Sequence, residues 1–196
     1  MNNRFRWTFL IGIFALLSAN VQAQRFVGGA VAGFNLSQID GDLLAGFNKI
    51  GVNVGGKVAT ILSDRWQLSL ELLYSQQGAS RSKNDDLSSV YDKIKLNFVE
   101  VPVMINFKEW KFHVSGGMSY ARLIDFKVID FTGLDVSDQQ DFNENIFALH
   151  LGATYYFNEK VGFEVRWFRA LSDLQAQKDA STLLGRSISC RVIYLF

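Results

Sequence analysis

The sequence predicts an all-β fold: an eight-stranded antiparallel up-and-down transmembrane β-barrel, preceded by a cleaved signal peptide. Three observations predict it. Apolar and polar residues alternate with a period of two through seven of eight segments, the pattern of strands with one face in lipid and the other toward a polar lumen. The connections between those segments alternate strictly between very short and long. The last segment carries its alternation to a terminal aromatic, with Ile188, Cys190, Val192, Tyr194 and Phe196 set against Ser187, Ser189, Arg191, Ile193 and Leu195.

Residues 1–23 read as the signal peptide. Arg4 and Arg6 supply the positive start. Residues 7–17 form an apolar run of about eleven residues, too short for a spanning helix. Val21-Gln22-Ala23 presents small residues to a peptidase, and Gln24 follows, so the cysteine that a lipoprotein would acylate is missing. The barrel domain is then 24–196, or 196 − 23 = 173 residues, enough for one domain. Past Ala23 no apolar run reaches helix-spanning length, so a membrane-embedded chain must close as a barrel.

The strands follow in order. The first spans residues 26–36, and Gly28, Gly29 and Gly33 leave it without a clear facial pattern. The second, residues 50–62, puts Ile50, Val52, Val54, Val58 and Leu62 on one face and Asn53 and Lys57 on the other. The third alternates Trp66, Leu68, Leu70, Leu72 and Tyr74 with Gln67, Ser69, Glu71 and Ser75. The fourth, residues 94–107, turns Val99, Val101, Val103, Ile105 and Phe107 out and Glu100, Pro102, Met104 and Asn106 in. The fifth turns Phe112, Val114, Met118 and Tyr120 out and His113, Ser115 and Ser119 in. The sixth turns Phe147, Leu149, Leu151, Ala153, Tyr155 and Phe157 out, with His150, Thr154 and Tyr156 inside. The seventh turns Val161, Phe163, Val165 and Trp167 out, with Glu164, Arg166 and Phe168 inside. The eighth is the C-terminal strand.

Short turns are expected near Asp64, Glu109 and Glu159, and long polar connections at 37–49, 78–93, 122–145 and 170–185. Transmembrane barrels place short turns in the periplasm and long loops outside, so both termini are expected in the periplasm of a Gram-negative outer membrane. Trp66, Trp110, Tyr155, Phe157 and Trp167 fall near strand ends, as an interfacial aromatic girdle requires. A soluble lipid-binding barrel would share the strand number, but its apolar side chains would fill the interior. Aromatics at 14%, led by 17 Phe against a single Pro, suit β-structure over helix or linker.

Residues 96–103, Leu-Asn-Phe-Val-Glu-Val-Pro-Val, resemble a strand motif of the PorT-like proteins, small outer-membrane β-barrels of the Bacteroidetes type. Residues 33–37 (Gly-Phe-Asn-Leu-Ser), 166–173 (Arg-Trp-Phe-Arg-Ala-Leu-Ser-Asp) and the closing Tyr194-Leu195-Phe196 resemble the family too. Ala170 stands where a glycine is common. The resemblance implies a barrel in the outer membrane and, through the member that names the family, an accessory role in type IX protein secretion.

The inward faces bring chemistry together. Lys57, Glu71, Glu100, His113, His150, Glu164, Arg166 and Arg191 all point to the interior by parity. An eight-stranded interior is just wide enough for side chains to fill, and enclosed charges must pair. The expectation is a lumen charge network, with Glu71, Glu100 and Glu164 bridged by Lys57, Arg166 and Arg191. Such a network would plug the barrel and fix register; the competing reading is a gated ion path along the same charges. Pro102 should sit at a bulge or irregular point, either aiming Glu100 inward or as a tolerated distortion.

Other site types are weaker. Two separated histidines and an outward cysteine do not make a metal cluster, and Cys190 is the only cysteine, so no internal disulfide forms. Gly51 through Gly56-Lys57 has phosphate-loop spacing, but Val58 replaces the required hydroxyl and the segment alternates as a strand. No G-x-S-x-G elbow is present, so no catalytic residue is assigned. The acidic connection 122–145, with Asp125, Asp130, Asp135, Asp138, Asp141 and Glu144, is a solvated loop, a calcium-binding loop or a divalent-cation bridge to lipopolysaccharide, and residues 126–131 are expected to extend the barrel hairpin beyond the membrane. With Arg4 and Arg6 removed, 18 Lys+Arg face 19 Asp+Glu, a net charge of −1 that gives no field for nucleic acid.

The expected protein is therefore non-enzymatic and cofactor-free, with a charge-plugged lumen. Its expected partners are outer-membrane lipid and lipopolysaccharide, the barrel-assembly machinery through the strand ending at Phe196, and secretion-system components. The alternative is a small pore or ligand transporter of the outer membrane; a membrane-embedded enzyme is a third.

Overall fold

In the computed structural model, residues 26–41, 46–81, 91–175 and 183–196 are described. The expected signal peptide and parts of three long connections lie outside the described residues. Eight strands run in order: β1 (Phe26–Asp40), β2 (Lys49–Ile61), β3 (Trp66–Ser80), β4 (Tyr91–Glu109), β5 (Phe112–Asp130), β6 (Asn145–Tyr156), β7 (Val161–Ala170) and β8 (Leu184–Leu195). Each pairs antiparallel with the next, and β1 closes on β8, giving a barrel without edges. The helical element among the described residues is one 3₁₀ turn at Ser137–Gln139.

Alternation decides which way each side chain points. Leu149, Leu151, Phe163 and Val192 are exposed on the outer wall, whereas Glu164 and Arg191 are buried inside. The same holds around the circumference, from Val52 and Val54 on β2 through Leu70 and Leu72 on β3 to Ile105 on β4 and Val114 on β5. An apolar outer wall on all sides is stable only against hydrocarbon. Aromatic rings bracket it. Phe112 and Tyr155 meet at 4.9 Å near the short turns, and Tyr120 and Phe147 meet at 5.6 Å eight residues further along the same two strands. Eight residues rise about 27 Å along a strand and about 20 Å along the axis of a tilted barrel, close to the height of a lipid-facing band.

The turns at residues 62–65, 110–111 and 157–160 are short and share one end with both ends of the strand circuit; the long connections share the other. The strands exceed the sequence expectation at the long-loop end. β1 continues past Leu36 to Asp40, β3 continues to Ser80, and β4 and β5 each reach 19 residues. These extensions project beyond the upper aromatic level, where alternation is no longer enforced by lipid.

Pro102 interrupts pairing without shifting it. β3 and β4 pair at Leu70↔Val103 and again at Leu73↔Glu100 in the same register, leaving out the pairs a missing N–H would weaken. The register shifts sit elsewhere, at two places between β4 and β5. Tyr91 pairs with Asp130 and Lys93 with Ile129, so Asp92 is an extra residue on β4. Asn97 pairs with Asp125 and Phe98 with Leu123, so Ile124 is the extra residue on β5. Gly33 serves the closing seam. A Cβ there would lie 2.1 Å from the Cys190 carbonyl oxygen, so only glycine lets β1 approach β8 beside Arg191.

Candidate functional site: a layered lumen

The interior is built in layers, and cross-strand register sets each one. In the ionic layer Lys57 on β2 is the direct cross-strand partner of Glu71 on β3, and Glu164 on β7 is the partner of Arg191 on β8. Arg166 lies two residues from Glu164, on the same inward face. Arg166 grips Glu71 with a fork, Nη1 to Oε2 at 2.9 Å and Nη2 to Oε1 at 2.8 Å, and Nη2 also reaches Glu164 Oε1 at 3.0 Å. Arg191 donates Nε to Glu164 Oε2 at 3.0 Å, pairs with the same carboxylate through Nη2, and donates Nη1 to Glu71 Oε2 at 3.2 Å. Lys57 Nζ stands 3.5 Å from Glu71 Oε1. Arg166 and both carboxylates are at most 2% exposed. Bidentate guanidinium–carboxylate contacts are the geometry in which buried charges offset their lost hydration.

One step toward the long loops, Glu100, Ser119 and His150 form a separate group. Ser119 Oγ donates to Glu100 Oε1 at 2.6 Å, and His150 Nε2 lies 2.9 Å from the same oxygen and 2.8 Å from Ser119 Oγ. These residue types are those of a hydrolase triad, but the arrangement is not one. The serine donates to the carboxylate, a single imidazole nitrogen touches both partners, and His150 Nδ1 has no hydrogen-bond partner. A relay needs the two nitrogens to serve different partners. The group is structural, with His150 packed edge-on to Phe168 at 5.3 Å.

Seven of the eight residues assigned to the lumen network thus divide in a way that parity did not reveal. Lys57, Glu71, Glu164, Arg166 and Arg191 meet in one cluster, while Glu100 pairs with His150 rather than with an arginine or Lys57. His150 is the seventh and belongs with Glu100. His113 joins neither. It sits one residue into β5, opposite Lys108 and Thr154, and stacks on Tyr156 with ring centroids 4.6 Å apart. That places it at the barrel mouth, below the ionic layer. Sequence reasoning passed over the neutral members. Asn53 accepts from Arg191 Nη1 at 3.3 Å, and Asn35 donates to Ser75 and accepts from Ser189 at 2.7 Å. Their inward parity and short polar side chains were the available signal.

The polar lumen expected from the alternation stops at His150. Above it the interior is mainly apolar, with Gln77, Asn97, Ser37 and Ser187 as buried polar side chains around it. Ile94, Leu96 and Phe98 of β4 pack with Ile146, Ala148 and Phe168, and loop residues Phe142, Leu174 and Leu183 close over them. The voids within these layers are about 10 Å³, no larger than one water needs. The opposite end is open. A cavity of about 590 Å³ lies between the ionic layer and the short turns, with Lys57 in its wall together with Lys108, Lys111, His113 and Tyr156.

Among the described residues, no group of three or more His, Cys, Asp or Glu side chains is placed to hold a metal ion. Outside the membrane span, Asp130 and Asp135 are held below the ordinary carboxylate range, chiefly by the hydroxyls of Thr132 and Ser137. Both hold loop amides. Asp130 Oδ1 accepts from the backbone of Thr132 and Leu134, and Asp135 Oδ1 from that of Ser137.

Comparison with known proteins agrees with the architecture. The Neisserial surface protein A structure superposes with a TM-score of 0.53 at 14% identity, covering 87% of this chain and 97% of that one. The attachment invasion locus protein Ail of Yersinia pestis gives 0.53 at 13% identity, covering 87% and 98%. At such identity the likeness is one of fold. Comparison with curated proteins yields no match. Residues 3–176 match the family described as outer membrane protein beta-barrel domain, nearly the full length of the chain, and the protein belongs to that family of the outer membrane.

Proposed function

We propose that this is a non-enzymatic, non-conducting outer-membrane barrel whose lumen is closed by its own side chains and whose biology resides at its two ends. The observation that carries this reading is the stacking of the ionic layer, the Glu100–His150 group and the apolar layer across the bore, with voids of only about 10 Å³ between them. Opening an ion path would separate buried guanidinium–carboxylate pairs, at a cost of several kcal/mol. In this reading the short-turn end faces the periplasm and the long loops face outward, as the length asymmetry of such barrels favours. The PorT-like strand at residues 96–103 supports a role as an accessory of protein export, with secretion components as partners.

Planar-bilayer recording of the purified protein tests closure. No steady conductance is expected, and large, steady openings would replace this reading with the pore alternative. Pull-down from detergent-solubilised outer membrane tests the export role, and recovery of secretion components is the expected outcome. Orientation is tested by maleimide labelling of whole cells. Thr132→Cys is expected to label and Asn158→Cys to stay protected.

A further inference from the structure

We propose that the open cavity at the short-turn end is a binding site for a small amphipathic organic anion, its carboxylate held by Lys57 and its apolar body by the cavity wall. The inference goes beyond the closed-barrel reading and does not depend on it, because binding and conductance are separate measurements.

Three observations carry it. The first is size and place. The volume of about 590 Å³ lies in the range of small-molecule sites, and the mouth of a β-barrel is a recurrent position for them. The second is charge. Lys57, Lys108 and Lys111 line the cavity against a single acidic side chain, Glu159. Lys57 is 7% exposed and sits at the inner end. Its neighbour Glu71 already accepts three hydrogen bonds from Arg166 and Arg191. Lys57 reaches Glu71 only at 3.5 Å, and an ammonium carries three donors. The ionic layer therefore has a surplus cationic donor on its cavity side. The third is the wall. Val27, Ala59, Ile61 and Leu195 give apolar surface, and Tyr156 and His113 form a stacked ring pair beside it.

The lip adds support. Trp110 is the non-glycine residue with a positive φ among those described, at 53°, in the two-residue turn between β4 and β5. A bulky side chain in that region is strained. That turn places Trp110 and Lys111 at the rim, with Lys111 Nζ 5.4 Å from the indole ring centroid. A cationic floor, a cationic rim and apolar sides between them match a carboxylate on a short apolar body better than inorganic phosphate or a neutral alcohol.

The test uses the full barrel domain in phosphatidylcholine nanodiscs, titrated with hexanoate and followed by amide chemical shifts. Saturable shifts are expected at Lys57, Lys111, His113 and Tyr156. 1-Hexanol is expected to bind about tenfold or more weaker, because it lacks the charge. Lys57→Gln should weaken hexanoate about tenfold, and Lys108→Gln with Lys111→Gln about threefold. Ala59→Phe should block the cavity without altering a charge, and it keeps the proposal testable if Lys57→Gln does not fold. Equal binding of 1-hexanol, unchanged binding in a folded Lys57→Gln protein, or shifts confined to the lipid-facing Leu151 and Val192 would each overturn the site. If phosphatidylglycerol nanodiscs alone produce the same shifts, the occupant is a lipid headgroup and the free-anion assignment is lost.

Discussion

The two halves of the lumen solve one problem in opposite ways. Between the ionic layer and the short turns, the interior is held by five interlocked charges above an open cationic cavity. Between His150 and the long loops it is filled with Ile94, Leu96, Phe98, Ile146 and Phe168, and roofed by loop residues. The ionic half is directional. Each ion pair needs a particular register, so Lys57↔Glu71 and Glu164↔Arg191 lock four strands against slippage. The apolar half is tolerant of direction and depends on volume. The difference teaches that this barrel takes its register from charge and its closure from packing.

The largest effect is expected from breaking the ionic half at its centre. Glu71→Ala leaves Lys57, Arg166 and Arg191 to share Glu164, and should cost about 3–5 kcal/mol of stability in urea unfolding from lipid vesicles. Ile94→Ala in the apolar half should cost about 2–4 kcal/mol. The two should also differ in kind. Glu71→Ala is expected to raise hydrogen exchange across β2, β3, β7 and β8, whereas Ile94→Ala should act locally around β4. Equal, local responses would erase the distinction between the halves. Gly33→Ala tests the seam both halves share, and overpacking against Cys190 should cost about 1–3 kcal/mol and slow closure of β1 on β8.

Smaller effects sharpen the comparison at the rims. Asp130 and Asp135 have folded-state pKa values below the ordinary aspartate value of 3.8. A depressed carboxylate contributes stability above its unfolded pKa and loses it as pH falls through the folded one. Amides of Thr132, Leu134 and Ser137 should therefore lose exchange protection as pH drops from neutral to well below 3.8, while the barrel amides keep theirs. At the short-turn rim, Arg65→Gln removes the exposed 3.3 Å pair with Glu109 and should change stability by less than about 0.5 kcal/mol.

Much of this was legible along the chain. Val52 through Leu62, Trp66 through Tyr74 and Phe147 through Phe157 showed their lipid faces, because a bilayer penalises charged side chains on the outward face and favours apolar ones there. The lengths of β4 and β5 were legible only in part: residues 126–131 pointed to a hairpin extended beyond the membrane, and β5 does run to Asp130, but the matching start of β4 at Tyr91 was not marked. Ile94, Leu96 and Phe98 continue the inward parity of Glu100, but a period of two names the face and not whether the interior at that height is polar or apolar. Pro102 pointed to an irregular place in β4, yet the register shifts fall at Asp92 on β4 and Ile124 on β5, away from the proline.

The sequence by itself determined the number of strands, their up-and-down order and which side chains face inward, since each follows from a two-residue period and alternating connection lengths. Tertiary structure alone decided which inward charges meet. Arg166 and Glu71 are 95 residues apart, and only closure of the barrel brings them within 2.8 Å, leaves His113 at the mouth and divides the bore into ionic and apolar halves. Parity tells a residue its side of the wall; its height and its neighbours across the bore come from strand tilt and closure, which no single strand encodes.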